Sequence, residues 1–213
     1  MIDPDVVVVA SGGGPAVAVP AAGTVVAADG GLGRAAALGL SVDVVVGDLD
    51  SVDPEELTAA EAAGTRVIRY PEAKDATDLE LALDGAVALG ARRVLVVASG
   101  EGRLDHLVAS LLLLGADRYA ALTLDALVGD AAVHVVRGER TIAGTKGELL
   151  TLLALGGAAT GVVTEGLEYP LAEETLEPGS SRGVSNVLTA SEATVSVERG
   201  TLLAVFPGGG DGA

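Results

Sequence analysis

Four short stretches of this 213-residue chain crowd carboxylates, glycines and cations together. They are Asp29-Gly30-Gly31, Gly47-Asp48-Leu49-Asp50-Ser51, Lys74-Asp75-Ala76-Thr77-Asp78-Leu79-Glu80 and Gly102-Arg103-Leu104-Asp105-His106. Carboxylates can hold a hard divalent cation, a lysine and an arginine can offset phosphate charge, and glycine turns expose backbone amides. Together these are the parts of phosphoryl or pyrophosphoryl transfer, where catalysis is mostly positioning and charge neutralisation. Gly144-Thr145-Lys146-Gly147 is not a P-loop, so a nucleotide site here would be of another kind.

Each stretch also has a plainly structural reading. If the chain stays extended past Gly47, Asp48 and Asp50 point to one side and can share a cation; the alternative is an Asx-type turn, with Asp53 capping a helix that starts at Pro54. Asp75 and Asp78, three apart, can be an N-cap and a helpful acid in the first helical turn. Arg103, Asp105 and His106 can be a solvated helix start. Against this, Lys74 is one of two lysines and His106 one of two histidines in the chain, and four such corners together favour a common site.

The elements that must position them are short apolar strands. Val6 to Ala10, Thr24 to Ala28, Val44 to Gly47, Thr65 to Arg69 and Arg93 to Ala98 are apolar runs, and helices extend to about Leu38, from Pro54, to about Leu89 and to Leu114. Most of the polar stretches follow the C-terminal end of a strand, where open α/β sheets bind their ligands. Ser11-Gly12-Gly13-Gly14 is a further loop able to approach a ligand, but Val17 stands at the third glycine position of a dinucleotide fingerprint, which excludes that motif. The alternation predicts a doubly wound, mostly parallel sheet with helices on both faces over residues 1–128. Beyond Gly129 the rhythm changes to short strands at 133–137, 148–155, 161–164, 184–189, 193–198 and 202–206 without a helix. This predicts a β-sandwich or barrel over residues 129–213, with a frayed glycine-rich tail from Gly208.

Composition narrows the partners. The chain has no Cys, no Trp, one Phe and three Tyr, so thiolate chemistry and cysteine zinc sites are excluded and the core is aliphatic. A formal charge of −17 repels nucleic acid and anionic membranes. The start, Met1-Ile2-Asp3-Pro4-Asp5, has no signal-peptide pattern and no run approaches a membrane span, so a cytoplasmic protein is expected.

The four stretches, in this order and spacing, resemble the thiamine pyrophosphokinase family. The resemblance continues through Thr164-Glu-Gly-Leu-Glu-Tyr-Pro-Leu171 and Ser181-Arg-Gly-Val-Ser-Asn186, which are similar to that family's thiamine-binding β-domain. It implies a homodimer, with sites near the subunit interface, that transfers the pyrophosphoryl group of ATP to thiamine, giving thiamine diphosphate and AMP. By the same resemblance Asp48, Asp50 and Asp78 bind Mg²⁺, or Mn²⁺ in its place. Lys74, Arg103 and Asp105 join them as catalytic residues. Asp29, Gly30, Gly31, Ser51, Thr77 and His106, with Lys74 and Arg103, line the nucleotide site, and Ser185, Asn186 and Tyr169 hold thiamine. Two positions depart from the family's usual pattern: Glu101 stands where glycine is usual, and Ser110 where asparagine is. Two other readings compete, a diphosphokinase acting on another alcohol such as 6-hydroxymethylpterin and a catalytically weak nucleotide- or thiamine-binding module. The Val184-Ser185-Asn186 segment argues for thiamine, and the full set of acids with Lys74 and Arg103 argues for an enzyme.

Overall fold

A computed structural model describes residues 3–13 and 18–208. Gly14, Val17 and residues 209–213 of the tail lie outside the described residues. The chain divides into two compact units, one made of residues 3–110 and 122–129, the other of Leu111–Ala121 and 130–208.

In the first unit a sheet of six strands runs in the order β6-β5-β1-β2-β3-β4. These are β1 (Val6–Val9), β2 (Thr24–Ala28), β3 (Val44–Gly47), β4 (Arg66–Arg69), β5 (Arg93–Ala98) and β6 (Thr123–Val128). Every pairing is parallel. Strands covered on both faces need unbroken apolar sequence, and Val6 to Val9 and Val94 to Val97 supply it, all buried. The sixth strand escaped the sequence pattern because the buried Asp125 interrupts its apolar run.

The helices are α1 (Gly31–Ala37), α2 (Pro54–Ala62), α3 (Asp78–Ala88) and α4 (Leu104–Leu114). Asp53 caps α2 as its sequence predicts, its Oδ1 accepting from the Glu55 and Glu56 amides at 2.7 and 3.3 Å. The start of α3 differs from expectation: Thr77, not Asp75, is the cap, its hydroxyl accepting from the Glu80 amide. Asp78 thereby becomes the first helical residue. No helix among the described residues is long and apolar enough to cross a membrane.

The second unit is antiparallel and strand-rich: β7 (Ala131–Ala143), β8 (Leu149–Glu165), β9 (Glu174–Leu176), β10 (Asn186–Val187) and β11 (Glu192–Phe206). The order is β10-β8-β11-β7, with β9 also on β8. Segments predicted as separate strands are single long ones here. The glycines at 156, 161 and 200 have positive φ and accompany register shifts within β8 and β11, so they mark bulges and not chain reversals. Leu150, Leu152, Val162, Leu171, Leu188, Val195 and Leu202 form the core of this unit.

Candidate active site

Three strand or helix ends of the first unit converge on a group of carboxylates. Asp29 follows β2, Asp48 follows β3, and Asp78 opens α3; their oxygens lie within 4.8 Å of one another. The parallel register sets Ala28 beside Val46, and the Asp29 amide extends it by donating to the Val46 carbonyl at 2.8 Å. Asp29 takes a left-handed backbone, φ 49°, and is only 5% exposed. Its Oδ1 is buried and, among the described residues, has no hydrogen-bond partner. Gly47, φ 152°, completes the corner: a Cβ there would lie 3.0 Å from Asp78 Oδ1 and 3.1 Å from Asp29 Cβ. A side chain there would press on Asp29 and Asp78, and glycine removes that pressure.

Lys74 supplies the cation. Its Nζ lies 2.6 Å from Asp48 Oδ2 and 2.8 Å from Asp78 Oδ1, with all three side chains largely buried. Burial alone would push the ammonium pKa down, but Asp48 and Asp78 outweigh it and hold Lys74 above the usual lysine value. The same contact, helped by the Asp50 amide, holds the Asp48 carboxyl below the ordinary carboxylate range. Three carboxylates and one ammonium leave a charge of −2, which one divalent cation would balance. That balance and the unpartnered Asp29 oxygen fit a hard cation held by Asp29, Asp48 and Asp78.

Asp50 stands beside this group and not within it. Leu49 has φ 65°, and its buried side chain packs with Ala27, Leu32, Val45, Val52 and Leu57. The chain is therefore not extended past Gly47. It folds so that the Asp50 amide and carboxyl approach the Asp48 side chain in the manner of an Asx turn. The Asp50 carboxylate also accepts from the Ser51 hydroxyl at 3.0 Å. Of the two sequence readings of this stretch the local turn is the one realised; the extended one, with Asp48 and Asp50 pointing to one side, is not, because Leu49 turns the chain at φ 65°.

The remaining residues singled out from sequence have these positions. Gly30 and Gly31 begin α1 against the end of β1, where a Cβ on Gly31 would fall 2.1 Å from the Val9 carbonyl oxygen. Thr77 caps α3 by accepting one bond at its hydroxyl oxygen. Arg103 and Asp105 pair with each other through two hydrogen bonds, 2.6 and 3.2 Å, on the exposed start of α4, beside an exposed His106. The pairing holds Arg103 above and Asp105 below their usual pKa values. The two departures are also placed: Glu101 is exposed, and the Ser110 hydroxyl bonds back to the His106 carbonyl. In the second unit Tyr169 is 55% exposed, Ser185 is exposed with φ 55°, and Asn186 is 3% exposed.

One residue was not anticipated. Arg34 is buried in α1, and its Nη1 donates to the Gly13 carbonyl at 2.8 Å, while Nε and Nη2 have no hydrogen-bond partner among the described residues. The signal was available in Gly31-Leu-Gly-Arg-Ala-Ala-Ala37, where one cation interrupts an apolar helix.

A parallel α/β unit with clustered acids and one ammonium at the carboxyl edge of its sheet is the arrangement of a phosphate-handling α/β enzyme. Comparison with known proteins is specific. Residues 18–124 match the family model "Thiamin pyrophosphokinase, catalytic domain", and residues 133–202 match "Thiamin pyrophosphokinase, vitamin B1 binding domain". The thiamine pyrophosphokinase of Bacillus subtilis is 26% identical over 163 residues, 75% of each chain. A crystal structure of the Bacillus subtilis thiamine pyrophosphokinase superposes with a TM-score of 0.80 at 23% identity, covering 94% of this chain and 97% of the other. The thiamin pyrophosphokinase of Candida albicans gives 0.72 at 16% identity, covering 94% and 88%. These structural likenesses concern the fold. The chain belongs to the thiamin pyrophosphokinase family, enzymes that take ATP as co-substrate.

Proposed function

We propose that this chain transfers the β,γ-pyrophosphoryl group of ATP to the hydroxyethyl oxygen of thiamine, giving thiamine diphosphate and AMP. The observation that carries the reading is Lys74 bridging Asp48 and Asp78 beside the unpartnered Asp29 oxygen. The thiamine oxygen bonds to the β-phosphorus as the bond from that phosphorus to the oxygen bridging it to the α-phosphorus breaks; AMP leaves with that oxygen, and the hydroxyl proton passes to solvent. Asp29, Asp48 and Asp78 hold Mg²⁺ or Mn²⁺, with Asp50 as the neighbouring carboxylate of the set. When bound, the cation neutralises charge that develops on the phosphates. Lys74 orients Asp48 and Asp78 and offers its ammonium to the transferring group, where a preorganised cation is most useful. Arg103, held by Asp105, provides a second cation, and Gly30, Gly31, Ser51, Thr77 and His106 belong to the nucleotide site.

Thiamine recognition is assigned to Ser185, Asn186 and Tyr169. The match of residues 133–202 to a vitamin B1 binding domain supports thiamine over a pterin as acceptor. Residues 1–128 form the ATP- and metal-binding domain and residues 129–213 the thiamine-binding domain. The working form is a homodimer, and the site of action is the cytoplasm.

The test is incubation of the protein with ATP, Mg²⁺ and either thiamine or 6-hydroxymethylpterin, with mass detection of products. Diphosphorylated thiamine and AMP are expected, with no diphosphorylated pterin. Preferential pterin turnover would overturn the acceptor assignment.

A further inference from the structure

Asn186 sits where the chain cannot continue a regular ladder. Its main chain pairs with Leu150 in β8, but the preceding Ser185 has φ 55° and its amide turns away to the Thr151 hydroxyl at 3.0 Å. The segment 167–169 nevertheless runs along 186–188. The Glu168 amide donates to the Val187 carbonyl at 2.9 Å, and Leu167 bridges to Leu188. At Tyr169 the next rung is made by a side chain. Asn186 Oδ1 accepts from the Tyr169 amide at 3.0 Å and from the Val187 amide at 2.9 Å, and Nδ2 donates to the Tyr169 carbonyl at 2.7 Å.

A carboxamide offers two acceptor positions and two donors. Here both acceptor positions and one donor are committed within the protein, in a side chain whose residue is 3% exposed. Asn186 therefore has little left to give a ligand directly. What it holds is a turn that carries an aromatic ring outward: Tyr169 is 55% exposed, while its neighbours Leu167 and Leu171 are buried on either side. Leu171 is fixed separately, its amide bonded to the Thr164 hydroxyl at 2.8 Å.

We infer that Asn186 is a positioning residue for the acceptor, acting through Tyr169: its amide substitutes for a strand partner and sets the Tyr169 ring as a flat contact for the heteroaromatic part of the substrate. The inference rests on the proposed thiamine reading. It replaces a direct hydrogen bond from Asn186 by a contact from its neighbour in space.

The test is a double-mutant cycle with Asn186→Ala, Tyr169→Ala and the pair, reading KM for thiamine and for ATP separately. Each single substitution should raise the thiamine KM about tenfold, the size expected for one lost ring contact or buried bond, with the ATP KM within about twofold. The double variant should be no worse than the poorer single, because Asn186 has nothing left to position. Multiplied effects would overturn the inference and return Asn186 to direct contact. So would an Asn186→Ala protein that melts earlier but keeps its thiamine KM. If Asn186→Ala does not fold, Asn186→Asp keeps the acceptor and removes the donor to Tyr169, and the same non-additivity is expected. A second readout is independent of the substrate: amide hydrogen exchange at Tyr169 should quicken at least about tenfold in the Asn186 variant relative to wild type. Unchanged exchange would refute the clamp itself, whereas a wild-type protein inert toward thiamine would refute the acceptor assignment and leave the exchange result standing.

Discussion

Replacing Gly47 by alanine perturbs the carboxylate group without touching a charge. At φ 152° an L-residue is strained, at a cost of about 1 to 3 kcal/mol. The new Cβ would also meet Asp78 Oδ1 at 3.0 Å, Asp29 Cβ at 3.1 Å and Asp29 Cα at 3.3 Å. Relieving such overpacking typically costs a further 1 to 3 kcal/mol, roughly. A total loss of about 2 to 6 kcal/mol follows, and the relief must come from Asp29 or Asp78 moving. Misplacement approaching 1 Å at a reacting centre costs about 100-fold in rate, so the shift of a few tenths of an ångström that these contacts demand should cost on the order of 10-fold. Gly64→Ala is the matched control: Gly64 also has a positive φ, 101°, but a Cβ there has nothing within 4 Å. Denaturant unfolding and thiamine diphosphate formation should be measured on both. Gly64→Ala should lose only the backbone component and keep its turnover, while Gly47→Ala should lose both stability and turnover. Gly47→Ala with activity within about threefold of wild type would refute the claim that close approach of Asp29 and Asp78 matters.

Further outcomes are expected. Lys74→Ala should lower turnover by roughly 100- to 1000-fold, as for other preorganised charge donors, while Lys146→Ala does not; equal activity in the two, by product assay, would make Lys74 a structural cation only. Asp5 pairs with the Arg93 side chain and accepts from the Arg92 and Arg93 amides, which together lower its pKa from 3.8 to about 2. A depressed carboxyl stabilises the fold above its unfolded pKa and ceases to do so as pH falls through the folded one. Asp5→Asn should therefore melt below wild type at neutral pH, with the gap closing between pH 3.8 and about 2; a gap constant across that window contradicts it. If the proposed homodimer shares its sites, mixed Asp48→Asn and Tyr169→Ala subunits assayed at limiting thiamine should exceed the parental average after exchange, and a mixture no better than that average would mean that each chain builds its own site.

Much of this was legible because local chemistry and fold agree. Val44-Val-Val-Gly-Asp48 reads as a buried strand delivering an acid, and Asp53-Pro54-Glu55-Glu56 reads as a capped helix start; both are so in the structure. What was hidden depends on neighbours distant in sequence. Asp29 joins Asp48 because β2 and β3 are parallel partners, a pairing that no single stretch announces. A leucine at φ 65° carries no local signal either, since its burial among Leu32, Val45 and Leu57 is what holds it there. The glycines of β8 and β11 looked like turn residues, but cross-strand bonding on both sides of each makes them bulges. Asn186 could be marked from its motif, but only its bonds show that its amide is already spent.

Product stoichiometry in the wild-type, Asp29→Asn and Asp48→Asn proteins tests the central claim most directly. With ATP, Mg²⁺ and thiamine, wild type should form one AMP for each thiamine diphosphate. Both variants should remain folded yet form neither product at an appreciable rate, since each removes a carboxylate from the group around Lys74. Formation of ADP with thiamine monophosphate, or full activity in both variants, would contradict the account.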